Sequence, residues 1–139
     1  MLRWLVLLIL ISAAYVSWPP INVVETGRTP QYPDLDPRTY AVVSTSVYSA
    51  AAEAIASMPH WQLVGSGSGE AGTAIHAVRK TRLFRFEDDV TITIEAIGKG
   101  TIVNVRSASR LGRIDFGQNA RNIEELFAAL DARIAASSR

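Results

Sequence analysis

Val90-Thr91-Ile92-Thr93-Ile94-Glu95, followed by Gly98-Lys99-Gly100 and then Thr101-Ile102-Val103-Asn104-Val105-Arg106, reads as two strands joined by a tight turn. Val90, Ile92 and Ile94 alternate with Thr91, Thr93 and Glu95. In an extended chain successive side chains leave opposite faces, so this strand has one apolar and one polar face. The glycines on either side of Lys99 supply the turn. A half-buried hairpin of this kind needs something to cover its apolar face.

The cover lies downstream. Ile123, Leu126, Phe127, Leu130 and Ile134 recur at helical spacing, while Arg121, Glu124, Glu125, Asp131 and Arg133 occupy the other face. Upstream, residues 72–83 read as a longer strand and residues 61–64 as another. Gly65-Ser66-Gly67-Ser68-Gly69 reads as a flexible hairpin tip between them. It lacks the lysine and the following helix of a phosphate-binding loop. An alanine-rich helix with Val47, Ala51, Ile55 and Met58 on one face is expected to start at a Ser44 or Ser46 cap and to stop before Pro59. Residues 40–43 form a short strand candidate. The order strand, helix, four strands, helix predicts an α+β domain of two layers: an antiparallel sheet of four to five strands with two helices on one face.

Three segments follow from this reading. Residues 39–139 form the single α+β domain. Residues 19–38 hold five of the six prolines and form a proline-rich spacer that reaches about 60 Å if fully extended. Ile21, Val23, Tyr32 and Leu35 equally allow part of it to wrap on the domain. Residues 1–18 form an N-terminal hydrophobic helix in which Arg3 precedes the apolar run Trp4 to Trp18. Its apolar run is about 22 Å long as a helix, against about 30 Å of bilayer hydrocarbon. Two readings stay open: a signal peptide cleaved after the small residues Ser12-Ala13-Ala14, and an uncleaved membrane anchor bracketed by Trp4 and Trp18. Both place the domain in the cell envelope, either tethered to the inner membrane or free in the periplasm.

Composition removes several chemistries. With no cysteine, disulfides, thiolate metal sites, thiol nucleophiles and lipoprotein acylation are out. Two histidines, His60 and His76, are too few for a histidine-rich metal site, and His76 is expected to be packed. Net charge is +1, so bulk electrostatics name no partner. Twelve of the fourteen cations are arginines, the side chain suited to bidentate pairing with carboxylates and phosphates. The run Arg79, Lys80, Arg82, Arg85 reads as a solvated face or a contact with anionic lipid, not a nucleic-acid site.

Charges gather in two stretches, Thr81-Arg82-Leu83-Phe84-Arg85-Phe86-Glu87-Asp88-Asp89 and Arg106-Ser107-Ala108-Ser109-Arg110-Leu111-Gly112-Arg113-Ile114-Asp115-Phe116-Gly117-Gln118-Asn119. If the strands of Val90 and Val105 pair, Asp88 or Asp89 meets Arg106 or Arg110, and Asp115 closes a network. Asn119 is positioned to cap the last helix.

The phenylalanines before the double aspartate, and the later R-S-x-S-R-x-G-x-x-D-x-G-x-N pattern, resemble the bacterial and plastid family named domain of unknown function 1499. The resemblance covers about residues 39 to 130. It implies a small protein, usually exported or membrane-tethered, with no assigned activity. Many members carry an upstream Pro-Asn-Cys-Val-Ser-Ser-like element. Here the chain has Pro33-Asp34-Leu35-Asp36-Pro37 instead, so no role of that cysteine carries over.

The candidate site is therefore Asp88, Asp89, Arg106, Ser107, Ser109, Arg110, Asp115 and Asn119. One reading is an ion-pair and hydrogen-bond lattice that fixes two irregular loops. A second is a site for a phosphate, a carboxylate or an anionic lipid head group. A third is acid–base or hydrolase-like work by clustered aspartates, with or without a divalent cation. The expectation is a non-catalytic domain without a cofactor, acting through an envelope protein partner or an anionic ligand.

Overall fold

The structure is a computed structural model that describes residues 2–70 and 72–138. Met1, residue 71, Arg139 and the side chains of the Ser12-Ala13-Ala14 cleavage candidate lie outside the described residues. The elements in chain order are α1 (Leu2–Ser17), β1 (Val23–Glu25), β2 (Arg38–Tyr40), α2 (Ser44–Ser57), β3 (Trp61–Gly69), β4 (Gly72–Lys80), β5 (Glu87–Ile97), β6 (Gly100–Ser109) and α3 (Gln118–Ser137). All strand pairs are antiparallel, in the order β3-β4-β5-β6, with β1 and β2 both paired to β6 along its free edge. The α+β class with two helices on one face of an antiparallel sheet holds. The sheet has six strands, not four to five.

The extra strand is β1, from the proline-rich stretch; the strand expected at residues 40–43 is β2 at Arg38–Tyr40, so it begins earlier and residues 41–43 are not strand. Prolines flank β1 and β2 but leave three residues free in each to donate to β6. Val24 is fully buried, and Ile21, Tyr32 and Leu35 pack on the core. Burial of these apolar side chains outweighs the extension that proline favours.

The core lies between the sheet and the α2–α3 pair. Ile75, Ala77, Val90, Ile92, Ile94, Val103 and Val105 face Val47, Ala51, Ile55, Ile123, Leu126, Phe127 and Leu130. The alternation in β5 and the periodicity of α3 thus do what their patterns require. At the start of α2 the residue is Val43 in extended conformation, with no side-chain cap from Ser44 or Ser46. Its end comes at Met58, just before Pro59, as expected.

Three local expectations change. The Gly65–Gly69 run is strand, not hairpin tip: it continues β3 past an irregularity at Leu63/Gly65 and pairs with residues 72–76 of β4. Ladder bonds to β4 override the weak strand propensity of Gly and Ser. Strand β4 stops at Lys80, three residues short of the expected end, because Thr81 closes the next loop. Strand β6 continues to Ser109, carrying Ser107 and Ser109 into the ladder.

Helix α1 exposes Trp4, Leu5, Val6, Leu7, Leu8, Ile9 and Leu10. Its 16 residues give about 24 Å at 1.5 Å per residue. Among the described residues no helix is long and apolar enough to cross a membrane. The spanning-anchor expectation therefore lacks a helix of the required length.

Candidate functional site: a cleft between two loops

The parity of the strands divides the expected cluster. In β5 the apolar Val90, Ile92 and Ile94 point to the helices, so Asp88 points inward and Asp89 outward. In β6 the same rule sends Ser107 inward and Arg106 outward, with Ser109 opposite Asp88 in the ladder. The eight candidate residues thus form two groups on opposite faces. Asp88 and Asp89 cannot hold one divalent cation between them, and among the described residues no cluster of three metal-ligating side chains occurs.

The inner group is a buried lattice. The Ser107 hydroxyl donates to Asn119 Oδ1 at 2.6 Å, and Asn122 Nδ2 donates to Ser107 Oγ at 3.1 Å and to Asp88 Oδ2 at 2.9 Å. Asn119 Nδ2 faces Asp115 Oδ2, Ser109 Oγ and the Asn22 carbonyl at 2.7 to 2.9 Å. Asn119 does not cap α3. That role falls to Asp115, whose oxygens accept the backbone N–H groups of Gly117 and Asn119 at 2.9 and 3.0 Å. The reason is backbone shape: Gly117 takes a left-handed conformation (φ 74°) that starts the helix two residues earlier and turns the Asn119 side chain into the core. Burial pushes the Asp88 carboxyl above the ordinary aspartate range, against the opposing pull of the Asn122 and Ser109 hydrogen bonds and the Arg79 charge.

The outer group ties the roots of the loops. Arg110 Nε and Nη2 grip Asp89 at 3.0 and 2.7 Å, and its Nη1 pairs with Glu87. Lys80 reaches Glu87 at 3.4 Å. The bonds from Arg110 hold the Asp89 carboxyl below the usual range. Arg106 makes no such grip; its charge acts on Asp89 from a distance.

Above these roots the loops 81–86 and 110–117 enclose a cleft of about 530 Å³. Leu83, Phe84 and Phe86 form one wall, and Leu111, Ile114 and Phe116 the other. Arg79, Asp88, Ser109 and Asp115 lie at its base, with Arg82 and Arg121 on its polar side. Thr81 closes the first loop by accepting the N–H groups of Arg85 and Phe86 and donating its own to the Phe86 carbonyl. Phe84 and Phe86 stack at 5.5 Å. Of the three non-glycine residues with positive φ among the described residues, two are here, Arg85 (53°) and Phe116 (52°). Backbone strain of this kind persists only where the surroundings enforce it, and it gathers at functional sites. A second hollow of about 620 Å³ between α2 and α3 is lined by small and exposed side chains such as Thr45, Ser49 and Ala136, with no buried polar group aimed into it.

Arg79 was not among the expected site residues. It leaves the inner face of β4 and is 9% exposed, not part of a solvated basic face. Its Nη1 donates to the Lys80 carbonyl, its Nη2 lies 3.7 Å from Glu125, and its Nε is buried without a hydrogen-bond partner. His76, expected to be packed, is exposed on the outer face beside Thr91. Asn122 was also missed, although it sits at helical spacing from Asn119 and Leu126, on the buried stripe.

No curated protein matches this chain. The model of the family described as "Protein of unknown function (DUF1499)" matches residues 15–130, from the end of α1 through the proline-rich stretch and the two loops into α3. The match starts earlier than the resemblance in sequence does and so takes in β1, which pairs with β6. Covering most of the chain, the match establishes that this protein belongs to the DUF1499 family.

Proposed function

We propose that the protein is a non-catalytic binding domain that holds an anionic amphiphile in the cleft between the two loops. The observation that carries this reading is the buried Arg79 with its unpartnered Nε beneath six apolar side chains. A cleft with apolar walls and a few convergent polar groups is the usual form of a small-molecule site. Arg79, Arg82 and Arg121 outnumber Asp88 and Asp115 around it, and both aspartates already accept hydrogen bonds. A carboxylate or phosphate head suits the arginines, and an acyl chain suits the walls.

The state of the carboxylates weighs against acid–base work. Asp88 is buried under Asn122, Asp89 is gripped by Arg110, and Asp115 caps α3. Location in the envelope is part of the proposal: Arg3 and the exposed apolar residues 4–10 of α1 support a leader or a membrane contact. Action through an envelope protein partner is the second reading, favoured by the exposed apolar loop residues.

Thermal unfolding with octyl phosphate, octanol and octyltrimethylammonium tests the primary reading. Octyl phosphate is expected to raise the midpoint, the added stability growing with the logarithm of ligand concentration above Kd and reaching about 2.7 kcal/mol at a hundredfold excess. Equal shifts with all three would mean that only the apolar walls bind. Native mass spectrometry of protein extracted gently from its own membranes separates the readings: a lipid adduct supports the first, a larger assembly the second.

A further inference from the structure

We infer that the two loops form a membrane-docking end, through which the cleft opens directly onto a bilayer bearing anionic head groups. This deepens the amphiphile reading by naming the source of the ligand. Outside α1, nine large hydrophobic residues are exposed among the described residues, and five of them are Leu83, Phe84, Phe86, Leu111 and Phe116 on these loops. Leu83 is 81% and Phe84 69% exposed, the two highest values in that set. A single patch this dense marks an interaction surface.

Three features select a lipid surface as the occupant. First, the loops carry Arg82, Arg85 and Arg113 beside the apolar tips, while the nearby acids Glu87 and Asp89 are neutralised at the loop roots by Arg110 and Lys80 together. Apolar tips ringed by cations complement an anionic interface. Second, the patch is continuous with the N-terminal segment. Trp18, the residue after α1, packs edge-on against Phe116 at 6.2 Å, and its ring lies so close to Gly117 that no Cβ would fit there. The apolar helix is thus pinned to the rim of the cleft, at the same end of the domain. Third, the tips are held rigid by the Thr81 bonds and the left-handed Arg85 and Phe116, so insertion requires no ordering of the loops.

The chain has no cysteine, so one introduced thiol labels one site. The full-length protein carries an environment-sensitive fluorophore at Leu83→Cys or at Lys99→Cys. Lys99 lies in the turn at the opposite end of β5 and β6. Vesicles of phosphatidylcholine and phosphatidylglycerol with brominated acyl chains are then added. The label at position 83 is expected to be quenched, and the label at position 99 to remain in water. Replacing Arg82 and Arg85 with glutamine is expected to lower partitioning onto these vesicles about thirtyfold, and to leave binding to neutral vesicles unchanged. A label at 83 that stays in water while the protein is vesicle-bound through α1, or equal quenching at both positions, overturns the inference. So does partitioning that ignores the arginines. The octyl phosphate shift is read without vesicles: a shift with an unquenched position 83 leaves the cleft reading standing alone. Quenching at 83 without that shift leaves the docking surface and removes the ligand. Both labelled variants are checked for an unchanged denaturation midpoint.

Discussion

Replacing Asn119 with alanine is the sharpest test of the inner lattice. Asn119 is fully buried and its side chain serves four partners. In the alanine variant Asp115 keeps two backbone N–H groups, and Ser109 still reaches Asp88. One group is stranded, the Ser107 hydroxyl hydrogen inside the core; the Asn22 carbonyl keeps the Ser109 backbone N–H. A buried polar group left without a partner costs about 1–3 kcal/mol. For a domain of this size that lowers the thermal midpoint by roughly 4–12 °C. Urea unfolding followed by circular dichroism is the assay, and an unchanged m-value would show that stability alone has moved. The companion Asn119→Asp keeps the shape, loses both donors and places a second carboxylate beside Asp115. It is expected to lose more than the alanine variant at neutral pH. Burial and the Asp115 charge would raise the pKa of the new carboxyl in the folded state, so its penalty applies above that pKa and fades as pH falls. A loss below about 1 kcal/mol for Asn119→Ala, or an aspartate variant indifferent to acid, would refute the lattice as described.

The other expectations concern charge and backbone. Asp88→Asn should be neutral or stabilising at pH 7, because the raised carboxyl pKa means that ionisation disfavours the fold above it. Acidification relieves that penalty in the native protein, so the variant should gain less on mild acidification. Asp89 has the opposite sign: its lowered pKa contributes stability above the ordinary aspartate range, lost as pH falls through the folded value. In Arg110→Ala the Asp89 carboxyl should therefore titrate closer to its ordinary range, measured by NMR, while the thermal midpoint barely moves because the pair is exposed. Gly117→Ala should cost about 1–3 kcal/mol from the left-handed backbone alone. It should also drive the Trp18 ring off Phe116, seen as a red shift in tryptophan emission.

What could be read in the sequence was whatever a local pattern encodes. Strand β5 and helix α3 declare themselves because each repeats its own period over many residues. Strand β1 is three residues long and sits among prolines, so no period can emerge; pairing with β6 defines it and also sets β2 two residues earlier than the 40–43 strand read from sequence. The Gly-Ser run of β3 resembles a loop because its strand state comes from β4. In the site, the division of Asp88 from Asp89 was available from the parity of Val90, Ile92 and Ile94. Asn122 was available from the stripe of α3. Arg79 shares the inward parity of Ile75 and Ala77, but its depth depends on Glu125 in α3 closing over it. The cleft was the least legible part, since it depends on two irregular loops and on left-handed turns at residues other than glycine.

The stitching of residues 21–26 along β6 determines how the domain resists a pull. The Ile21 carbonyl accepts from Asp115 N–H, the Asn22 carbonyl from Ser109 N–H, and Thr26 N–H donates to the Val105 carbonyl, with the three residues of β1 paired between. The chain enters at the loop end of β6 and runs antiparallel to it. A force applied through the N-terminal segment along the strand axis therefore loads these bonds together, in shear. A hairpin pulled from its open end instead gives way one bond at a time. If α1 fixes the protein to a moving surface, lateral drag reaches the sheet through its most mechanically resistant direction, and it passes through the Asp115 and Phe116 wall of the cleft on the way.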